Sequence, residues 1–572
     1  MRDVSYASWP RDVRLFQTPE TLESRQAHTR TLVILGVIGF FFIAVLAKIG
    51  QLMVMLDAQG GRNEQRFPTT LIGRGNILDR NGNILATSLI TSSAYVNPKD
   101  VLDPKEAAYK LSQLFPTLSY EDLYKKLSSQ KTFVWIKRNL TPAQQESINN
   151  LGIPGVYFQR EEKRVYPYNK LTAHVVGFTD VDNKGISGLE RSFDEQLREN
   201  GSEIRLSLDI RAQHVLYEEL SKGMATFKAK GASGIVLDTQ TSEIIAMVSL
   251  PDFDPNQNQK SDPNSIFNSN TLGVYEMGSV FKIFTVAMAL DAGKITLNSG
   301  YDTARELRIG GHKIKDLYPK NRWLSVPEIF MYSSNIGSVQ MALDVGPEKQ
   351  REFLERLGLL TPTPLELPEM GKPMAPARWG DVGAATISYG YGVAVSPLQM
   401  INGVAAVVNG GILRMPTLLV GGSQGAPERR VLSSADSEKM RRLMHLSVKQ
   451  GTGKKGDVDG YVVGGKTGTA NKKKLNGKGY AQTNCHRSLF VGAFPMVKPR
   501  YVILIMLDEP QGTKETFGFS TGGWTSAPIA GNCIKRIAPV LGVLPVNEKS
   551  PVIQSAMRIH PHLWGGGLRV TR

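Results

Sequence analysis

Ser279 and Lys282 stand three residues apart in YEMGSVFKIFTVAMALDAG, where Lys282 is the one charged residue between Val280 and Leu290. Gly278 breaks the chain before this stretch and Gly293 stops its helical period, so Ser279 is expected at a helix N-terminus. Lys282 then falls one turn on, on the same face. In so apolar a segment its ammonium is expected to be partly buried, and desolvation makes a lysine lose its proton more readily. A neutral amine beside a hydroxyl at the positive end of a helix is what a serine nucleophile requires. Ser333 and Asn335, in EIFMYSSNIGSVQMA, are expected at a helix–turn–helix junction. There they offer a hydroxyl to relay a proton and an amide to hold a substrate amide. Lys466-Thr467-Gly468-Thr469 follows the apolar run YVVGG and reads as a strand edge. Its lysine suits a carboxylate, its threonine hydroxyls can hydrogen-bond, and Gly468 lets a ligand backbone approach closely.

Each motif alone is weak. Ser128-x-x-Lys131 and Ser147-Ile148-Asn149 repeat two of the spacings, and helix caps or a blunted edge strand use the same letters. What matters is the set of elements that must carry them. From residue 206 the chain reads LSLDIRAQHVLYEELSKGM, an Asp-capped helix, then ASGIVLDTQTSEIIAMVSL, two β-rich runs around a turn at 240–242. SLFVGAFPM and RYVILIMLDEP repeat that pairing before a last helix, TSAPIAGNCIKRIAPVLG. Strands at both ends with helices between them predict an α+β domain over 206–547, with one antiparallel sheet flanked by helices. All three motifs fall inside it, in order.

Before that domain, LVILGVIGFFFIAVLA opens a largely apolar run over 32–56, with Lys48 placed to snorkel at its distal edge. Twenty-five residues at about 1.5 Å each can cross roughly 30 Å of hydrocarbon. No A-x-A cleavage site follows, so an uncleaved signal anchor is expected after a tail over 1–31. Residues 57–205 form a further unit. It has a polar linker from Ala58 to about Arg66, a hairpin signal at Asn81-Gly82, and a helical, polar region over 104–150 that includes the capped LTPAQQESINNLG. Short strands before a helix are expected over 164–197. Residues 548–572 are a C-terminal tail.

Across the 572 residues, 68 Lys+Arg against 52 Asp+Glu give a net charge of +16, which favours anionic surroundings. The basic residues are scattered rather than interleaved with aromatics in one patch, so nucleic acid is not an expected partner. With 41% hydrophobic and 21% charged residues the chain is neither disordered nor a polytopic membrane protein. Cys485 and Cys533 are too few for a disulfide framework or a Cys-rich zinc module and are expected to be unpaired. No metal site and no cofactor are expected.

The ordered Ser-x-x-Lys, Ser-x-Asn and Lys-Thr-Gly set is that of penicillin-binding proteins and class A β-lactamases. Over residues 30–545 the chain resembles class B penicillin-binding proteins, and among them the cell-division peptidoglycan D,D-transpeptidases. RGNILDRNGNILA, RVYPYNKLTAHVVGFTDVDNKGISGLERSF, LDIRAQ, SLPDFDPN and YGYGVAVSPLQM carry the resemblance beyond the motifs. It implies an inner-membrane protein of the division site, with a cytoplasmic N-terminus, an elongated noncatalytic pedestal over 57–205 and a periplasmic transpeptidase domain.

By the same resemblance Ser279 attacks the penultimate D-alanine of a stem peptide, Lys282 accepts its proton, Ser333 passes a proton to the leaving amine, and Asn335 binds the peptide amide. Lys466 and Thr467 face the substrate carboxylate, and the N–H groups of Ser279 and Thr469 form the oxyanion hole. Lipid-linked precursor, β-lactams, a polytopic glycosyltransferase and other division-complex membrane proteins are the implied partners. EMGSVFK departs from the family at Met277 and Val280, where Pro and Thr are expected. Tyr391 is equally readable as a wall of the cleft or as a core tyrosine. A D,D-carboxypeptidase shares these motifs, and a catalytically idle division scaffold is the non-enzymatic alternative. A class A β-lactamase is disfavoured because no Glu-x-x-x-Asn follows Ser333.

Overall fold

The computed structural model describes residues 33, 35–49, 51 and 73–559, apart from 200, 261, 423, 474–478 and 481–484. Among the described residues no helix is long and apolar enough to cross a membrane. The described part of the expected 32–56 span is a helix over 35–49, about 22 Å at 1.5 Å per residue. Apart from Val33 and Gln51, the rest of that span lies outside the described residues, as do the 1–31 tail, the 58–66 linker and residues 560–572.

Residues 73–205 build a mixed sheet from β1 (Ile77–Leu78), β2 (Ile84–Val96), β3 (Val134–Leu140), β4 (Val156–Val165) and β5 (Ile204–Arg205). β1 and β2 form the expected hairpin, Leu78 opposite Ile84, with Gly82 at φ +88. β2 then pairs antiparallel with both β3 and β4, while β5 runs parallel to β1. α1 (Pro104–Leu114), α2 (Tyr120–Leu127) and α3 (Pro142–Asn150) cover one face, where Ala94, Val96, Leu111, Leu123, Ile136 and Ile148 are buried together. α3 starts on a Thr141–Gln144 capping box, as its sequence predicts.

Two segments differ from what the sequence predicts. Residues 104–150 are not all helical, because VWIKRNL forms β3. Its β-branched and aromatic residues gain a partner strand some forty positions upstream, a pairing that local periodicity does not reveal. Residues 164–197 contain no run of short strands. β4 ends at Val165, and a single Thr179–Gly185 bridge and short helices follow.

A buried charge cluster ties these segments together. Glu190 accepts 2.6 Å bonds from the Nε atoms of both Arg74 and Arg164, and Arg74 also reaches Asp194 at 2.7 Å. Arg74 and Arg164 are buried and Glu190 is wholly so. The hairpin loop in turn docks on α4 (Ile210–Thr226): Asp79 accepts from the Ile210 N–H, and the Asn81 amide donates to Asp209, the α4 cap.

The second sheet is antiparallel throughout, in the order β8 (Gly464–Asn471), β9 (His486–Phe494), β10 (Tyr501–Asp508), β6 (Gly231–Asp238), β7 (Ile244–Leu250). The first and last strands of the segment therefore do share one sheet, as expected. Alternation along β10 sends Ile503 and Ile505 to one face and Leu504 and Met506 to the other. α4 and α10 (Ser526–Val540) cover the first face. α5 (Lys282–Asp291), α6 (Val326–Tyr332), α7 (Asn335–Val345), α8 (Pro397–Val408) and α9 (Ser434–Gln450) build the other layer. Cys485 and Cys533 are free thiols, the second fully buried.

Glu190→Ala leaves two buried guanidiniums without their shared carboxylate. We expect it to lower unfolding stability by about 3–5 kcal/mol, read as a lower urea midpoint; an unchanged midpoint would show that the cluster is dispensable.

Candidate active site

Gly278–Phe281 is a single tight turn that runs directly into α5, so Ser279 sits at the start of a helical segment with Lys282 one turn on. Two glycines let this turn lie against β8. At Gly278 (φ +55) a Cβ would fall 2.6 Å from the Thr469 carbonyl oxygen, and at Gly468 it would fall 2.8 Å from the Met277 carbonyl oxygen. Met277 and Val280, the two departures from the family pattern, are fully buried in the core layer. Both side chains are apolar and pack beneath the turn.

α6 opens on a Ser325–Glu328 capping box and closes at Tyr332. Ser333 follows in the left-handed region, φ 62 and ψ 44, a conformation that costs a residue other than glycine about 1–3 kcal/mol. Asn335 opens α7, whose N-cap is Ser334. Thus the expected helix–turn–helix junction forms, and its strained residue is the one whose hydroxyl enters the site.

Five of the expected residues meet around one polar centre. Lys282 Nζ lies 2.6 Å from the Ser333 carbonyl oxygen, 2.7 Å from Asn335 Oδ1, 3.2 Å from Ser333 Oγ and 3.3 Å from Ser279 Oγ. Lys466 Nζ, reaching in from the edge strand β8, donates to Ser333 Oγ at 2.9 Å. Both lysines are buried. Burial drives the Lys282 pKa well below the usual lysine value, the Lys466 charge lowers it further, and Asp316 works in the opposite direction. Burial brings Lys466 down to about 7. A neutral amine has two N–H donors and one lone pair. At Lys282 the two carbonyl oxygens occupy the donors, which leaves the lone pair for a hydroxyl proton. The repeated spacings elsewhere assemble nothing comparable: Ser128 ends α2, and Ser147 donates to the Ala143 carbonyl inside α3.

The centre opens on a cleft of about 850 Å³ that Thr467, Gly468, Thr469 and Tyr391 also line. Thr467 Oγ1 donates to Thr452 Oγ1 at 2.7 Å, and Thr469 Oγ1 accepts from the Gly522 N–H at 3.3 Å. Tyr391 is half-buried, its hydroxyl accepting from the Asn471 N–H at 3.1 Å and its ring 5.0 Å from that of Tyr480. It therefore belongs to the cleft wall.

Asp316 was not foreseen. Its carboxylate accepts from the Asn335 N–H (2.6 Å), the Ile336 N–H (3.0 Å) and the Ser334 hydroxyl (2.7 Å), while the Lys315 carbonyl accepts from Asn335 Nδ2 at 2.8 Å. One loop thereby fixes the α7 N-terminus and the Asn335 amide. Nothing around Asp316 marks this in the sequence, since every partner lies 18 to 20 residues away. Trp524 also lines the cleft, and the aromatics recurring in FGFSTGGW were a readable signal for it.

Residues 232–535 match the model of the penicillin binding protein transpeptidase domain, and residues 70–220 match that of the penicillin-binding protein dimerisation domain. The chain is 37% identical over 544 residues to a probable peptidoglycan D,D-transpeptidase FtsI from Caulobacter vibrioides, covering 93% of this chain and 92% of that one. It is 34% identical to a probable peptidoglycan D,D-transpeptidase PenA from Neisseria meningitidis, covering 88% and 90%. The crystal structure of penicillin binding protein 3 from Mycobacterium tuberculosis complexed with aztreonam superposes with a TM-score of 0.67 at 24% identity, over 83% of this chain and 97% of that one. At that identity the likeness is one of fold.

The charges facing Lys282 predict opposite shifts in the pH profile of Ser279 acylation by an activated thioester. Asp316→Asn removes the charge that favours the protonated amine, so the acid limb moves to lower pH. Lys466→Gln removes the repelling cation, so the Lys282 pKa climbs and the acid limb moves to higher pH. Shifts of the same sign in stopped-flow acylation would exclude Lys282 as the titrating group.

Proposed function

Because the chain belongs to the penicillin-binding protein transpeptidases, we propose that it is a membrane-anchored serine D,D-transpeptidase that cross-links peptidoglycan stem peptides during septal wall synthesis. Ser279 is the nucleophile. Its proton passes to neutral Lys282 as Oγ adds to the carbonyl of the penultimate D-alanine. The N–H groups of Ser279 and Thr469 receive the oxyanion charge. Lys466, kept cationic by the substrate carboxylate, and Thr467 bind the terminal D-alanine, with Gly468 admitting the peptide backbone. Ser333 then carries a proton to the departing amine, and Asn335 holds the peptide amide. Expulsion of D-alanine leaves an acyl ester on Ser279. An amine from a second stem peptide attacks that ester, and the serine recovers its proton. Tyr391 walls the donor side of the cleft.

The observation that carries this reading is Lys282 Nζ, fully buried, with both donor directions filled and Ser279 Oγ at 3.3 Å. A β-lactam presents the same kind of amide and acylates the same hydroxyl. The domain division follows, with a pedestal over 57–205 and a transpeptidase domain over 206–547. Membrane anchoring draws on the sequence over 32–56 and on the helix at 35–49, where Phe40, Phe41, Phe42 and Ile43 are each about two-thirds exposed. The cytoplasmic N-terminus, the periplasmic catalytic domain, the division site, and the glycosyltransferase and division-complex partners complete the proposal.

Fluorescent penicillin is expected to label the full chain covalently and Ser279→Ala not at all, at equal far-UV circular dichroism. Labelling that persists in the alanine variant places the nucleophile elsewhere.

A further inference from the structure

The two ends of the cleft differ. At the Asn471 end of β8 stand the aromatic rings of Tyr389 and Tyr391. At the Thr467 end, past Thr452, stand Lys454 and Lys455. Lys455 Nζ rests 4.3 Å from the ring centroid of Trp524, itself stacked on Phe519 at 5.4 Å and met edge-on by Phe517 at 5.8 Å. A cation held over indole is a fixed charge rather than a waving one. Among the described residues no carboxylate makes an ion pair with Lys454 or Lys455. The other charges of the cleft are already engaged: Lys315 pairs with Glu306 at 3.1 Å, and the Asp316 carboxylate binds the start of α7. That end of the cleft is therefore positively charged and unbalanced.

This inference rests on the proposed function, which fixes the polarity of the cleft. With the terminal carboxylate at Lys466 and Thr467, the leaving D-alanine lies toward Thr452. By microscopic reversibility the attacking amine enters where the leaving amine departs. One residue with one carboxylate leaves, and Lys466 suffices for it; a whole stem peptide enters. We propose that Lys454 and Lys455 bind a free carboxylate on the incoming acceptor peptide, so that the enzyme selects anionic acceptors over their amidated counterparts. The pair acts in the second half-reaction: the acceptor amine adds to the Ser279 ester, the C–O bond breaks, and the new amide forms with return of a proton to Ser279. The lysines hold the acceptor and exchange no proton.

The test follows the fate of the acyl-enzyme formed from a thioester donor. Two acceptors are supplied, N-acetyl-γ-D-glutamyl-L-lysine amide with its glutamyl α-carboxyl either free or carboxamidated. Their ε-amine is the same and one charge differs. Wild type should form two- to five-fold more amide product from the free acid, a preference that shrinks as salt rises from about 0.05 to 0.5 M. In Lys454→Gln/Lys455→Gln the preference should fall to parity while the burst of donor acylation stays within about two-fold. Lys455→Arg, which keeps the charge over Trp524, should restore it. A preference that survives the double substitution overturns the proposal, as does its absence in wild type. A parallel fall in the acylation burst overturns it too, by assigning the lysines to the donor. Failure of wild type to acylate at all would sink the proposed function itself and is distinguishable, since the burst is read before any acceptor is added.

Discussion

Two ammonium groups cannot both remain charged inside a protein when they share one hydroxyl and have no carboxylate between them. Lys282 and Lys466 are in that position: both are buried and both lie within 3.2 Å of Ser333 Oγ. Desolvation penalises each cation, and each cation penalises the other. The least costly arrangement keeps one amine neutral, and the surroundings decide which. Lys282 donates to two carbonyl oxygens and is pushed down by both its burial and the Lys466 charge, whereas Lys466, on the edge strand β8, donates to Ser333 Oγ and the Thr467 carbonyl and is pushed down by burial alone. Under the proposed function, a substrate carboxylate at Lys466 would hold the charge there and leave the lone pair on Lys282, so that base strength and substrate recognition would follow from the same burial.

Much of the surrounding architecture keeps these groups in register. The turn that carries Ser279 reaches β8 only because Gly278 and Gly468 present no side chain between the two backbones. Ser333 is held in a left-handed conformation by helices on either side, and the 315–316 loop binds the second helix where its first N–H groups would otherwise lack partners. The carboxylate at that helix start also faces Lys282, so one side chain serves both the backbone and the electrostatics. β8 ends the strand order of its sheet, and its 464–468 stretch is buried, with Gly468 lying against the turn that carries Ser279.

Legibility in the sequence differed from one element to the next. The helix after Gly278, the Ser333 junction, the capped α3, the Asn81-Gly82 hairpin and the strand pairs at both ends of 206–547 were readable because caps, turns and apolar periods are local signals. β3 was not, because its partner lies across the α1–α2 excursion and the run between two helices reads as more helix. The short helices after β4 were misread as strands for a related reason: Pro and Gly mark where the chain turns without saying what it turns into. In the site, Ser279, Lys282, Ser333, Asn335 and Lys466 were legible as ordered motifs. Asp316 was silent, since an aspartate in a loop acquires its role only from the helix end it meets.

The order and chemical types of the motif residues, the apolar setting of Lys282 and the turn before Ser279 belong to the sequence itself, because each depends on neighbours within about one helical turn. The depth at which the two lysines are buried, the meeting of Ser279, Ser333 and Lys466 over separations of up to 187 residues, and the unbalanced charge at one end of the cleft were decided by tertiary packing. Desolvation and Coulomb interaction depend on distance through space, and a pattern along the chain does not contain that distance.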